Sequence, residues 1–304
     1  LLVRLGYDRT FVTSLVAVAG GLGVIIPPSI PFVMYGQCAN TSVADLFTAG
    51  ILPGILIGVF LMICAYIYCK KHGEDKEKLQ ANYNQLHDRG FWNVFKDSFF
   101  ALLTPVIILG GIYSGIATPT EAACVSVFYA LIVSLFVYKT LSVQQIPKIL
   151  RDTVSSLVPM LFVATSATVF ARVLTMLQAP QMIASAITGA IHSKVAILLI
   201  INVFLLVIGM LMDAISAILI CVPIFMPIMS ALGMSPVHFG VIMVCNLAIG
   251  FVTPPVGVNL FVASSMTKIP VLEIAHHAVK FIVWFLAALL LITFVPQISL
   301  LLLG

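Results

Sequence analysis

Gly23-Val-Ile-Ile-Pro-Pro-Ser-Ile-Pro31 and Gly250-Phe-Val-Thr-Pro-Pro-Val-Gly-Val-Asn259 each break a long apolar stretch at a Pro-Pro pair. The two breaks belong to one repeated pattern. Leu5 and Leu232, Gly6 and Gly233, Gly23 and Gly250, Pro27 and Pro254, and Pro28 and Pro255 are all separated by 227 residues. A proline inside a helix removes a backbone donor and clashes with the preceding turn, so each pair frees several carbonyls and amides within an apolar segment. At bilayer depth such groups cannot face lipid; they must line a cavity or bind something. Freed carbonyls with half-helix ends are the usual material of a sodium site, and half-helix N-termini suit a carboxylate. The alternative is a pair of simple proline kinks packed against neighbouring helices, which leaves the symmetry of the two breaks without a role.

Composition fixes the medium around these segments. Hydrophobic residues make up 61% of the 304 and charged residues only 9%, against about 25% charged in soluble domains. The chain is expected to be an all-α integral membrane protein, because its apolar stretches match the roughly 30 Å hydrocarbon core and are too uniform for outer-membrane strands. The net charge of +4 is accounted for by topology and gives no ground for a nucleic-acid partner. The six cysteines lack metal-ligand spacing; Cys64, Cys124, Cys221 and Cys245 lie in apolar runs and read as buried small hydrophobes.

Outward from the first break, residues 1–69 hold a broken span (10–36, interrupted at 27–31) and a second span at 46–69. A polar segment, 70–97, reads as a cytoplasmic loop with a surface helix ending at Phe91-Trp92. Connecting spans follow near 98–114, 119–138 and 153–178, and a short connector runs from Pro180 to Lys194. Residues 179–304 form the second half. Its stretch 195–231 is apolar but carries Asp213, Pro223 and Pro227, which suits a re-entrant hairpin of two half-helices better than one crossing. The second broken helix (236–266, broken at 253–259) and a last span at 271–295 complete the chain.

Lysine and arginine enrichment on cytoplasmic loops sets the orientation. With Arg4 and Arg9 inside, Lys70, Lys71, Lys139, Lys148, Arg151 and Lys268 also fall inside, and only Arg172 and Lys194 of the 15 basic residues fall towards the outer side. The first copy of the repeat then starts inside and the second starts outside, so the two form an inverted-topology repeat.

The candidate binding residues follow from these breaks. Gly23, Pro27, Pro28 and Ser29 form the first, and Gly250, Thr253, Pro254, Pro255, Gly257 and Asn259 form the second, with Asn246 just upstream. Asp213 and Ser216 lie near the hairpin tip. A carboxylate in an apolar segment is costly without a partner, which marks Asp213 for an ion or substrate role; the competing reading is an N-cap of the second half-helix. Sodium is expected around Ser29, Asp213 and Thr253, partly on backbone carbonyls. Glu121, two positions after Pro119, reads as a helix start. His276 and His277 read as interfacial at the cytoplasmic end of the last span. No catalytic residues are expected: the spans hold no paired carboxylates, Ser/His arrangement or zinc spacing.

At these motifs the chain resembles a known family. Gly23–Pro31, Ala117-Thr-Pro-Thr-Glu-Ala-Ala123, Gly209-Met-Leu-Met-Asp213 and Asn246–Leu260 occur in the order found in the large membrane subunit of tripartite ATP-independent periplasmic (TRAP) transporters. The resemblance implies an elevator-type, sodium-driven importer of organic anions such as dicarboxylates or sugar acids, in the bacterial inner membrane. It implies no cofactor beyond sodium as the coupling ion. The implied partners are a small four-helix membrane subunit, a periplasmic substrate-binding protein and the lipid bilayer. A stand-alone anion:sodium symporter, with no binding protein, is the alternative. The family has a hairpin before the first broken helix, and what precedes Leu232 has no counterpart before Leu5, so an N-terminally truncated chain unable to transport is expected.

Overall fold

A computed structural model describes residues 2–72, 80, 91–191 and 193–303. Among them every regular element is helical. Among the described residues, five helical segments are long and apolar enough to cross a membrane: Val43–Lys71, Pro119–Val137, Lys194–Leu211, Ala214–Ala231 and Val271–Phe294. The chain divides into two compact units, Leu1–Glu74 with Ser166–Gly304, and Asp75–Thr165.

The larger unit contains both breaks. Its elements are α1 (Arg9–Ala19), α2 (Ile30–Ala39), α3 (Val43–His72), then α7 (Ala179–Ala190), α8 (Lys194–Leu211), α9 (Ala214–Ala231), α10 (Pro236–Gly250), α11 (Val258–Thr267), α12 (Val271–Phe294) and α13 (Gln297–Leu300). The repeat seen in the sequence is repeated in the backbone. Gly6 and Gly233 both take left-handed φ, 97° and 62°, a turn that glycine enters without the Cβ clash. Asp8 and Ser235 are the N-cap residues that follow, and α1 and α10 start at Arg9 and Pro236. Asp8 accepts a 2.7 Å hydrogen bond from the Phe11 amide, satisfying one of the donors a helix start leaves open.

The two copies run antiparallel. Gly21 lies against the Ala248 carbonyl, while farther along α2 the Tyr35 hydroxyl donates to the Pro236 carbonyl at 2.7 Å. At the opposite end, Arg9 Nη2 donates to the Thr267 carbonyl at 2.6 Å. The ends of α1 and α11 that carry Arg9 and Lys268 therefore share one side, as the charge pattern requires. The core between them is aromatic and aliphatic: Phe32, Tyr35, Phe239, Phe281 and Phe285 are fully buried. On α12 the other face, with Leu272, Val279 and Val283, stays exposed, the pattern of a helix with one side for neighbours and one for lipid.

The smaller unit holds α4 (Phe91–Tyr113) and α5 (Pro119–Ile132), the latter continued by a π-helical turn, Val133–Val137. Glu121 behaves as its position after Pro119 predicts. Thr118 and Glu121 form a reciprocal capping box, with Glu121 Oε2 accepting from the Thr118 amide at 2.8 Å. Tyr129 ties α5 to α4 by donating to the Phe100 carbonyl at 2.8 Å. A further helix, α6 (Ile146–Met176), lies in this unit up to Thr165.

Several sequence expectations change. The connector placed after Pro180 is the helix α7; Pro180 sits in its first turn, where a missing N–H costs nothing, so it starts rather than ends a helix. The span expected from 153 begins at Ile146, the polar residues of its first turns remaining outward. Phe91-Trp92 begins α4 instead of ending a surface helix, and most of the polar segment 70–97 lies outside the described residues. Cys124 is exposed on α5, not buried, whereas Cys64, Cys221 and Cys245 are buried.

Candidate functional site

Each break replaces a helical turn by a loop held with local side-chain bonds. In the first, α1 passes through a 3₁₀ stretch, Gly20–Val24, before Pro27-Pro28. Ser29 then caps α2: its Oγ accepts from the Phe32 amide at 3.3 Å and donates to the Val24 carbonyl. One lone pair of that oxygen remains. In the second, Thr253 Oγ1 donates its only proton to the Ile249 carbonyl at 2.7 Å, which leaves its lone pairs open. The Pro27-Pro28 and Pro254-Pro255 bonds are both cis. Gly257 precedes α11 with a φ of 55° and a buried position, its Cα facing the Leu260 side chain.

Asn259 joins the two breaks. Its amide N–H donates to the Phe251 carbonyl at 3.0 Å, closing the second loop, and its Nδ2 donates to the Ala17 carbonyl of α1 at 3.2 Å. A Cβ on Gly20 would stand 3.2 Å from that same Nδ2, so a glycine there lets the amide reach the α1 backbone.

The hairpin approaches from the second side. At its base Lys194 Nζ donates to the Leu232 carbonyl at 3.1 Å; at its tip α8 ends, Met212 is extended, and Asp213 opens α9. Asp213 is indeed an N-cap. Its Oδ2 accepts from the Ser216 amide at 3.0 Å and its Oδ1 from the Ser216 hydroxyl at 2.6 Å. Both oxygens keep a lone pair, and the residue is exposed. Near the tip, Gly209 lies against Leu247 and Gly250 of α10. A Cβ on Gly250 would come within 2.6 Å of Gly209 Cα and 2.5 Å of its carbonyl oxygen.

The predicted residues thus fall into two groups. Gly23, Pro28, Asp213, Pro254 and Pro255 are exposed around the breaks and hairpin tip, with Pro27, Thr253 and Asn259 half-buried; Ser29, Ser216, Gly250 and Gly257 are buried beneath them. Asn246 stands apart: fully buried, it donates to Asn202 Oδ1 and to the Ile242 carbonyl, both at 2.8 Å, and serves to bind α10 to the hairpin arm α8. Sequence reasoning missed Asn202 and Gly209. Asn202 had a signal, being an amide in the middle of an otherwise apolar segment; Gly209 had none beyond its motif, because a close backbone approach is a property of two segments.

Chemically, the arrangement offers oxygen lone pairs from two hydroxyls and a carboxylate, and the N-termini of α2, α9 and α11, within a surface formed by glycine and proline. Among the described residues no three His, Cys, Asp or Glu side chains gather to hold a metal. These groups lie on a frame of two broken helices and a hairpin in an all-α membrane protein.

Residues 1–298 match the family described as the DctM component of tripartite ATP-independent periplasmic transporters. The chain belongs to that family. It is 44% identical over 297 residues to the isethionate TRAP transporter permease protein DctMQ of Oleidesulfovibrio alaskensis, covering 98% of this chain and 46% of that one. It is 42% identical over 299 residues to the C4-dicarboxylate TRAP transporter large permease protein DctM of Pseudomonas aeruginosa, covering 98% and 69%. To the sialic acid TRAP transporter large permease protein SiaM of Vibrio cholerae it is 38% identical over 296 residues, covering 97% and 68%. The chain therefore spans about half to two thirds of the length of these relatives. They are named as transporter permeases, not as enzymes.

Proposed function

We propose that this chain forms membrane-embedded machinery of a sodium-coupled importer for an organic acid, working in the bacterial inner membrane with a small four-helix membrane subunit and a periplasmic binding protein. The observation that carries the reading is the meeting of the two antiparallel breaks and the hairpin tip, through Asn259 on Ala17 and Gly250 on Gly209. Sodium is held by the remaining lone pairs of Ser29, Thr253 and Asp213 together with backbone carbonyls of the breaks. The substrate carboxylate or sulfonate faces the N-termini of α2 and α11, where the partial positive charge of a helix start favours an anion. No cofactor takes part. The halves 1–69 and 179–304 act as an inverted pair that moves as a body, elevator fashion, and residues 70–97 remain cytoplasmic.

Three relatives are named for isethionate, C4-dicarboxylates and sialic acid, all organic anions, which supports the substrate class. The test is uptake of radiolabelled C4-dicarboxylate, sialic acid and isethionate into proteoliposomes that hold the large subunit and its small partner. An inward sodium gradient and the cognate binding protein are each supplied or withheld. Uptake requiring both is the expected result. Sodium-driven uptake without the binding protein would favour a stand-alone symporter, and uptake indifferent to sodium would overturn the coupling assigned to Ser29, Thr253 and Asp213.

A further inference from the structure

Away from the breaks, a cavity of about 320 Å³ opens between α1, α3 and α12. Its lining carries two ammonium groups, Lys71 from the last turn of α3 and Lys280 from the first half of α12, with the His277 imidazole beside them. Among the described residues that line it there is no carboxylate. Among the described residues nearby, Asp8 caps α1 and Glu273 accepts from the Thr10 hydroxyl at 3.0 Å.

The cavity is built on one face of each helix. Tyr68 and Lys71 are one turn apart on α3, and His277, Lys280 and Trp284 follow at intervals of three and four on α12, so each set projects together. Phe11 of α1 stacks on Tyr68 at 3.7 Å with nearly parallel rings, and Lys280 Nζ lies 5.4 Å from the centre of the Tyr68 ring. That aromatic floor holds the ammonium in place. Arg9, two residues before Phe11, is tied to Thr267 at the same end of the unit, the end that carries the basic residues. Ile67 of α3, 51% exposed, and Trp284 of α12 also line the cavity, and Phe60 of α3 meets the Trp284 ring edge-on at 5.8 Å, leaving an apolar track beside the two lysines.

Two ammonium groups and an imidazole, at the end of apolar helices and beside aromatic rings and an apolar track, match a phosphate that carries acyl chains. We propose that this cavity is a phosphate-binding site whose ligand is the phosphodiester of an anionic phospholipid of the inner leaflet. Basic pockets between membrane helices on the cytoplasmic side have this chemistry. A soluble phosphate shares only the anion, and the track of Ile67 and Trp284 gives it nothing to bind. The site owes nothing to sodium or transported substrate, so it stands or falls separately from the transport reading.

The test is native mass spectrometry of the purified chain in nonionic detergent, given equimolar phosphatidylglycerol and phosphatidylcholine of matched chains. Preferential retention of phosphatidylglycerol is expected. Each lysine contributes roughly fivefold to binding of an anionic headgroup, so K71Q/K280Q loses about 25-fold in phosphatidylglycerol retention, while K194Q, at the hairpin base, retains it. Equal retention of the two lipids, or phosphatidylglycerol retention unchanged in a monodisperse K71Q/K280Q, overturns the site. Displacement of the lipid by millimolar inorganic phosphate overturns the lipid as ligand. Should K71Q/K280Q fail to fold, salt decides with the unaltered chain: retention that survives high salt unchanged overturns the assignment to Lys71 and Lys280.

Discussion

Adding a single methyl group at Gly250 is expected to pull the hairpin tip off the second break. The new Cβ would stand 2.6 Å from Gly209 Cα and 2.5 Å from Gly209 O, about 1 Å inside the carbon contact distance of roughly 3.5–4.0 Å. The obstacle is backbone, so no rotamer change relieves it. Either α8 or α10 must shift by about that 1 Å, which also stretches the 2.8 Å Asn246–Asn202 hydrogen bond one turn away on α10. Overpacking costs about 1–3 kcal/mol, a strained amide bond adds up to about 1 kcal/mol, and alanine returns at most about 1 kcal/mol over glycine in a helix. The net for Gly250→Ala is a loss of about 2 kcal/mol. Its symmetry mate supplies the control: a Cβ on Gly23 meets nothing within 4 Å, so Gly23→Ala is neutral or gains a few tenths of a kcal/mol from the unfolded chain. Thermal unfolding in detergent, followed by the fluorescence of Trp92 and Trp284, should put the melting temperature of G250A roughly 4–8 °C below that of G23A at about 2–4 °C per kcal/mol. Equal melting temperatures for the two variants would refute the close approach of Gly209 and Gly250.

Two more substitutions separate packing from function. Asp213→Ala removes the cap and should cost about 1 kcal/mol, whereas Asp213→Asn keeps an acceptor for Ser216 and should melt close to the parent; if D213N is stable yet has lost sodium-dependent uptake, the carboxylate does more than cap, and full uptake by D213N would reduce it to a cap. Asn202→Leu should cost about 1–3 kcal/mol by leaving the buried Asn246 amide short of a partner, and N202L/N246L should recover part of that loss because two apolar groups leave nothing unpaired; a double variant no more stable than N202L in the same unfolding assay would contradict the pairing.

The broken helices were legible because their signals are local. A Pro-Pro pair must break a helix wherever it falls, and the same offset that relates the pairs in sequence relates Gly6 to Gly233, Asp8 to Ser235, and the starts of α1 and α10 in the structure. The turn between α8 and α9 was legible for a related reason, Asp213 being the one charge in its stretch and a side chain suited to open a helix, but the two arms expected as half-helices are each 18 residues, long enough to cross a membrane. Pro180 misled because proline has two meanings, helix breaker and first-turn residue, and only the run of helix formers behind it decides between them. Cys124 misled because an apolar sequence in a membrane protein does not distinguish a face turned to protein from a face turned to lipid.

What the sequence could not carry is the contact between segments far apart in the chain, and the two glycines at equivalent positions show why. Gly23 and Gly250 occupy the same place in the repeat and look equally important as letters, yet one faces open space and the other is pressed against Gly209. The repeat fixes the path of the backbone through each break, whereas the environment depends on which other segment arrives there. At Gly250 the arriving segment is the hairpin, held by Asn202 on Asn246 and by the Lys194 bond to Leu232 at its base. Near Gly20 and Gly21 it is the other repeat, through Asn259 and Ala248. A symmetric sequence pattern therefore builds two unlike surfaces. The residues that make them unlike, Asn202 and Gly209, lie outside the repeated motif, and substitutions there should uncouple the hairpin from the break without touching a single proline.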